Sequence, residues 1–532
     1  MPYANAVTAV FAGFAVAMAT ASAQLAAQGG EEVPLYDNMG DYGRTITTDS
    51  EKAQAYFDQG LRLGYAFART EGASSFQAAQ EHDPNCALCA WGEAWALGPY
   101  QNNPGGVGAY EDAHAAAQRA VELAGEAEPW EQALIEAMAM RYPEPADGAD
   151  TQFDTEGYAE AMQKAAEAHP DNLDVRTLHA ESQMMFRPWN LYDEEGEPYE
   201  ETRAAVGELE AVLAEDLHHT GACHLYIHAV EAYEPARAEA CADVLAEGIP
   251  GVSHIQHMPS HIYMNIGRYG DGVRANQQAR MMDQAAVHGE GISVYGPHNT
   301  MMLLYGAWMD GQSGVAFSAA QDLARERPED TFHQYLQLVR FGRWDELLEH
   351  DTGPEEDFQA AMWTFARGLA HLRTGSETEA EAAVESIRAI REDTPEDATY
   401  HFFLHSQRAL LGIAEGILAG EIAAAAGDLE TAEEHLREAV ALEDGLGYAE
   451  PEPWPIPARH VLGAVLLEAG QAEAAEAVYR EALEVHPDNG WSLRGLEQSL
   501  AAQGKDAEAA EAGETFEQAW QRADVWLPGS RF

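Results

Sequence analysis

Apolar positions recur three and four residues apart through most of this chain, one face at a time, and no alternating strand pattern of useful length interrupts them. The pattern predicts helices joined by short turns. Its clearest stretch starts at Pro457 and reads P-A-R-H-V-L-G-A-V-L-L-E-A-G-Q-A-E-A-A-E-A-V-Y-R-E-A-L-E-V-H-P. Small and large apolar residues alternate there, as two closely approaching helices require.

Leu462, Gly463, Leu466, Ala475, Tyr479, Ala482 and Pro487 occupy the slots of a tetratricopeptide repeat, a helix hairpin of roughly 34 residues. Gly60, Phe76, Ala79 and Pro84 fit an early repeat, and Gly420, Ala432, Leu436 and Ala439 another. Gly267-Arg268-Tyr269, Thr374-Gly375 and Gly427-Asp428 mark turns within hairpins. Between about residues 100 and 210 the register is degenerate, although helical periodicity persists. The predicted fold is all-α: a tetratricopeptide-like α-solenoid over residues 46–532, winding as a right-handed superhelix of hairpins. Four prolines in residues 444–457 break the helical pattern into a loop.

Composition sharpens this picture. Ala, Glu and Leu dominate over Val and Ile, which favours helix, and a hydrophobic share of 46% allows a large core. Acidic residues outnumber basic ones 90 to 30, for a net charge of −60. Such a surface repels nucleic acid and anionic membranes, which excludes both as expected partners. It suits salty surroundings, where screening relieves self-repulsion.

The first residues read as an export signal. An apolar run from Ala6 to Ala21 ends in Ala21-Ser22-Ala23, a small-residue cleavage pattern, although no Lys or Arg precedes it. Residues 1–23 are the expected signal peptide and 24–45 a flexible linker. The mature chain is expected in the periplasm or secreted, without stable membrane insertion. Its oligomeric state is not legible. Of the four cysteines, Cys86 and Cys89 form C-A-L-C, while Cys223 and Cys241 are placed to tie two helices of one hairpin. An oxidising compartment allows two disulfides.

Chemistry concentrates at six histidines. His224 and His228 form H-L-Y-I-H, His257 and His261 form H-M-P-S-H, and His254 and His298 flank them. Each pair lies one helical turn apart on one face. In hairpin repeats the first helix lines the concave groove at spacings of three, four and three. Three such sets arise here: Gly221, His224, His228 and Glu231; His254, His257, His261 and Met264; His298, Met301, Tyr305 and Trp308. All six histidines are therefore expected as metal ligands in one groove. Glu231, Met264 and Met301 are possible supporting ligands, with Tyr305 or Trp308 on the substrate side. Neither pair is the H-E-x-x-H of zinc proteases, since Leu225 and Met258 replace the glutamate. A nearly all-histidine site suits copper, with zinc as the alternative. A polar groove that binds a peptide or small ligand by hydrogen bonds is the competing reading. Trp91 and Trp95, four apart after C-A-L-C, are groove candidates as well as packing candidates. Glu450, Trp454 and Arg459 surround the proline-rich loop, where an exposed aromatic and an arginine would clamp a ligand.

The strings Asp83–Pro99 (D-P-N-C-A-L-C-A-W-G-E-A-W-A-L-G-P), His257-Met-Pro-Ser-His261-Ile-Tyr with Gly267-Arg-Tyr, Pro297-His298-Asn299, and the tail from Tyr448 through Trp491 carry a resemblance. The chain resembles a family of exported bacterial tetratricopeptide-repeat proteins, largely of unassigned function. The resemblance implies the fold and export, and no particular reaction. Relatives tend to show F-N-H-x-E-A, whereas this chain has Phe67-Ala68-Arg69-Thr70-Glu71-Gly72. They tend to show G-P-N-I-N, where it has Gly98-Pro99-Tyr100-Gln101-Asn102. Three functions are therefore expected: a metalloprotein oxidising a small molecule or peptide with copper, a non-catalytic interaction scaffold, or a metal store or carrier.

Overall fold

The computed structural model describes residues 33–144, 153–193, 195–349, 352–400 and 405–532. The expected signal peptide and the start of the expected linker lie outside these residues. Among the described residues the fold is all-α and tetratricopeptide-like, and the only strands are a two-residue antiparallel pair, Thr399–Tyr400 with His405–Ser406. No helix among them is long and apolar enough to cross a membrane.

The chain divides into two compact units: Met1–Pro259 with Met281–Val294, and Ser260–Arg280 with Tyr295–Phe532. In the first, helices α1 (Glu51–Tyr65), α2 (Arg69–His82), α3 (Ala87–Leu97), α4 (Tyr110–Leu123), α5 (Pro129–Arg141), α6 (Thr155–Ala168), α7 (Leu173–Met184), α8 (Glu200–Glu215), α9 (Thr220–Val230) and α10 (Glu239–Gly248) pack in chain order. Alternate helices also touch: α1 with α3, α3 with α5, and α7 with α9. Further, α9 packs on α1. The short helix α11 (Ser253–His257) follows. Two helices, α12 (Pro259–Asn265) and α13 (Tyr269–Ala286), carry the chain between units.

The second unit continues with α14 (Gly296–Met309), α15 (Ser313–Glu326), α16 (Phe332–Arg340), α17 (Trp344–Glu349), α18 (Asp357–Arg373) and α19 (Glu377–Asp393). After them come α20 (Gln407–Ala425), α21 (Leu429–Asp444), α22 (Ala458–Glu468), α23 (Ala472–Val485), α24 (Gly490–Ala502) and α25 (Asp506–Ala519). Here α18 touches α20, α20 touches α22, and α22 touches α24. The proline-rich loop spans the gap between α21 and α22, as the prolines require.

One packing device recurs in both units. A Cβ at Gly60 or Gly92 would collide with the ring of Phe76, and a Cβ at Gly463 or Gly495 with the ring of Tyr479. The two triplets share one spacing along the chain. In each, a ring on the second helix of a hairpin is seated between a glycine of its own first helix and a glycine of the next one. Leu436 meets Gly420 in the same register. Close packing of this kind leaves no room for an added methyl. The turn glycines Gly267, Gly375 and Gly427 have φ of +84°, +85° and +78°, which only glycine adopts readily.

The part of the expected linker that is described is not an arm. The Tyr36 amide donates to Gln59 Oε1 (2.9 Å), the Tyr42 hydroxyl donates to Asp174 Oδ1 (2.6 Å), and Met39 is buried. Its aromatic residues anchor it across α1 and α7. Both cysteine pairs are disulfides: Cys86–Cys89 at the start of α3, and Cys223–Cys241 joining α9 to α10.

Candidate functional site

The site in the first unit is built by α9, α11 and the turn between α1 and α2. His219 caps α9, its Nδ1 accepting from the Ala222 amide (3.2 Å). Gly221 in the first turn faces the Tyr65 ring, where a side chain would clash, so α9 approaches α1 closely. That approach puts His224 Nδ1 2.6 Å from the Tyr65 carbonyl oxygen. One turn on, His228 Nδ1 is 2.9 Å from Glu231 Oε1. From α11, His254 Nε2 comes within 3.1 Å of His224 Nε2. The segment Met281–Val294 holds α11, since Ser253 Oγ accepts from the Val294 amide (2.8 Å).

His224, His228 and His254 are buried, and one ring nitrogen of each lies within 4.8 Å of those of the other two. The second ring nitrogens set the tautomers. A carbonyl only accepts, so His224 Nδ1 carries the proton, and the Glu231 carboxylate selects the same tautomer for His228. The lone pairs of both rings are then on Nε2. Three neutral imidazoles on a tetrahedral ion at about 2.0–2.1 Å would stand roughly 3.3 Å apart, close to the His224–His254 separation. A carboxylate behind a ligating histidine is the usual support for such a site.

Phe67 completes it. Its ring centroid lies 4.3 Å from that of His224, 5.6 Å from His228 and 5.7 Å from His254. Its φ is +58°, a left-handed conformation that a bulky residue adopts at a cost of about 1–3 kcal/mol. That turn geometry drives the ring among the three imidazoles. Trp189, with φ of +64°, presents its ring 5.7 Å from His228. Phe67 enters the sequence reading only as the start of the Phe67–Gly72 string and Trp189 not at all, because a positive φ at Phe or Trp leaves no compositional trace.

The six histidines are divided between the units. His257 belongs to the first, its ring 5.8 Å from His254. His261 and His298 belong to the second, their rings 5.7 Å apart, with His261 Nδ1 3.3 Å from Glu450 Oε2. Pro259 opens a new helix, so His257 ends α11 and His261 lies on α12.

Also in the second unit, the Tyr305 hydroxyl donates to Glu452 Oε2 (3.2 Å), and Glu452 holds His486 at 2.8 and 2.9 Å. A cavity of about 30 Å³ is lined by His261, Met264, Tyr305, Glu450, Glu452 and His486. Burial opposes the charged form of His486, but the Glu452 carboxylate outweighs it and raises the pKa above the ordinary value. Burial pushes the Tyr305 hydroxyl far up, with Glu452 adding to it, so it remains a donor. Met301 and Trp308 pack in the apolar core of this unit beside Met264.

Trp91 and Trp95 take the packing alternative, and Trp454 is placed differently from the expected clamp. Trp91 and Trp95 are wholly buried, stacked on each other at 5.7 Å in the core of the first unit. Trp454 is 1% exposed, contrary to the expectation of an exposed clamp. It packs on Phe365 at 5.5 Å and donates to the Ile456 carbonyl (2.7 Å), so the loop folds inward around it. Arg459 is engaged by both oxygens of Asp444.

No protein-family model and no curated protein matches the chain. Among solved structures it is similar to a tetratricopeptide repeat protein from Parabacteroides merdae, at 13% identity and TM-score 0.31, covering 63% of this chain and 98% of that one. Yeast Tom70 aligns at 10% identity and TM-score 0.26 over 87% and 92% of the two chains. The human IFIT1 dimer with m7Gppp-AAAA aligns at 11% and 0.27 over 89% and 91%. Similarity of this degree carries no argument about function.

Proposed function

We propose that the chain is a tetratricopeptide-like interaction scaffold whose first unit binds one transition-metal ion through His224, His228 and His254. The observation that carries the metal is the buried convergence of three imidazoles, two of them held by Tyr65 and Glu231 in the tautomer that offers Nε2. The proposed ion is copper or zinc, copper being held more tightly by such ligands. A function outside the cytoplasm is part of this reading, supported by the two disulfides and the Ala21-Ser22-Ala23 pattern.

The test is metal content of the mature protein, made in an export-competent host without chelator, beside His224→Ala/His254→Ala. One equivalent of copper or zinc, lost in the variant, supports the reading. Folded protein that neither carries nor takes up either ion sinks it, and leaves a scaffold without metal. Oxygen consumption by the copper-loaded protein with candidate small molecules or peptides separates an oxidase from a metal store or carrier.

A further inference from the structure

Residues 527–532 leave the hairpin pattern and lie along the inner helices α16, α18, α20, α22 and α24. The Ser530 hydroxyl donates to the His460 carbonyl (2.6 Å) and faces the Tyr479 hydroxyl at 2.7 Å. The Pro528 carbonyl accepts from Gln498 (2.7 Å). Arg531 pairs with Glu421 at 2.8 Å and Glu468 at 3.0 Å. Arg373 donates to the Phe532 carbonyl (3.2 Å), and the Phe532 ring stands edge-on to Trp491 at 5.9 Å. Leu527 is buried, although its neighbour Trp526 is 75% exposed. The segment bends at residues 528–530 and is held through Pro528, Ser530, Arg531 and Phe532.

The receiving surface is built for such a segment. Trp491 is backed by the Arg340 guanidinium at 3.9 Å. Glu421, itself buried, is shared between Arg373 and Arg531. A cavity of about 30 Å³ persists beside Phe532, walled by Leu369, Ile417 and Val461. Inner helix faces of a hairpin array have no partner within their own repeat, and elsewhere such grooves take extended peptides.

We infer that the inner face of the second unit recognises peptides carrying an arginine followed by an aromatic residue, and that residues 527–532 are the intramolecular occupant that excludes them. This rests on the scaffold reading above and is independent of the metal. Tethering gives the resident segment a high effective concentration, so outside peptides compete poorly while it is in place.

The test is fluorescence anisotropy with a labelled peptide of residues 525–532, against the intact chain, a chain lacking 527–532, and Arg531→Ala/Phe532→Ala. The double variant keeps Leu527 and Ser530 seated, which guards against misfolding of the truncation; circular dichroism checks both. The opened chains should bind at least about tenfold more tightly than the intact one. A peptide with arginine replaced by glutamate, or a Glu421→Gln groove, should lose about tenfold. Equal binding by intact and opened chains overturns the occupant role. If folded opened chains ignore this peptide but select another motif from a random peptide library, the proposed chemistry is wrong and the scaffold stands. If they select nothing, the scaffold reading fails with it.

Discussion

Arg69 and Glu181 form an ion pair buried in the core of the first unit. Arg69 also donates to the Trp95 carbonyl (3.0 Å) and lies over the Trp95 ring at 4.1 Å, while Trp95 Nε1 donates to Glu181 Oε2 (2.8 Å). Arg69 is thereby a structural link from α2 through α3 to α7. Arg69→Ala would strand the Glu181 carboxylate. The expected loss is about 3–5 kcal/mol of unfolding free energy, measured by urea denaturation. A loss below about 1 kcal/mol would mean that the pair contributes little beyond its own desolvation.

Glu231 orients His228 without belonging to the three ligands. Glu231→Gln should keep the fold and weaken metal affinity about 10- to 100-fold, read by competition with a chelator of known affinity. An unchanged affinity would exclude His228 from the coordination proposed.

The carboxyls around His486 set a pH window for the second unit. Burial pushes the Glu443 carboxyl up to about 8, against an ordinary 4.5. Between those values the folded chain holds a proton that the unfolded chain has lost, so stability falls as pH rises from about 4.5 to 8. His486, with its pKa raised above 6.5, contributes fully below that value and loses its contribution as pH climbs through the raised one. Glu452 runs the other way. Burial opposes its charge, but the His486 imidazolium depresses its pKa below 4.5, and its contribution is lost on acidification below that. Stability should therefore peak at mildly acidic pH. Glu443→Gln, whose amide oxygen still accepts from the Ala458 amide, should raise Tm relative to the parent at pH about 8.5 and change it little at pH about 5. A pH-independent difference would sink this account.

Glycine substitutions separate packing from propensity. Gly463→Ala forces the Tyr479 ring aside and should cost about 1–3 kcal/mol. Gly207, exposed in the middle of α8 with nothing within 4 Å of an added Cβ, should instead gain about 0.5–1 kcal/mol as alanine. Thermal denaturation of the two variants compares them directly; a Gly463→Ala chain as stable as Gly207→Ala would refute the packing device.

The hairpin register was legible because Gly463, Tyr479 and their counterparts are fixed by helix contact, and contact of that kind dictates residue size. The histidine spacing was legible for the same reason: residues one turn apart share a face. What spacing does not carry is the path of the chain between helices. His254 meets His224 because Met281–Val294 returns to hold α11, and the Phe67 ring reaches both through a left-handed turn. The division of the six histidines between two units is equally long-range. The burial of Trp454 is not legible, because prolines mark the absence of helix and say nothing about burial. In residues 33–45 a polar, glycine-rich composition hides Tyr36, Met39 and Tyr42, three of the residues that anchor the segment.

His224, His228 and His254 are each no more than 5% exposed. With the three rings this buried, an ion held between them would exchange with solvent slowly, as local opening of α11 or the Phe67 turn allows. Residence would then be governed by the opening rate of the protein more than by the strength of the bonds formed. The identity of an ion held there would record which ion was available while the chain folded, and later changes in the medium would be slow to rewrite it.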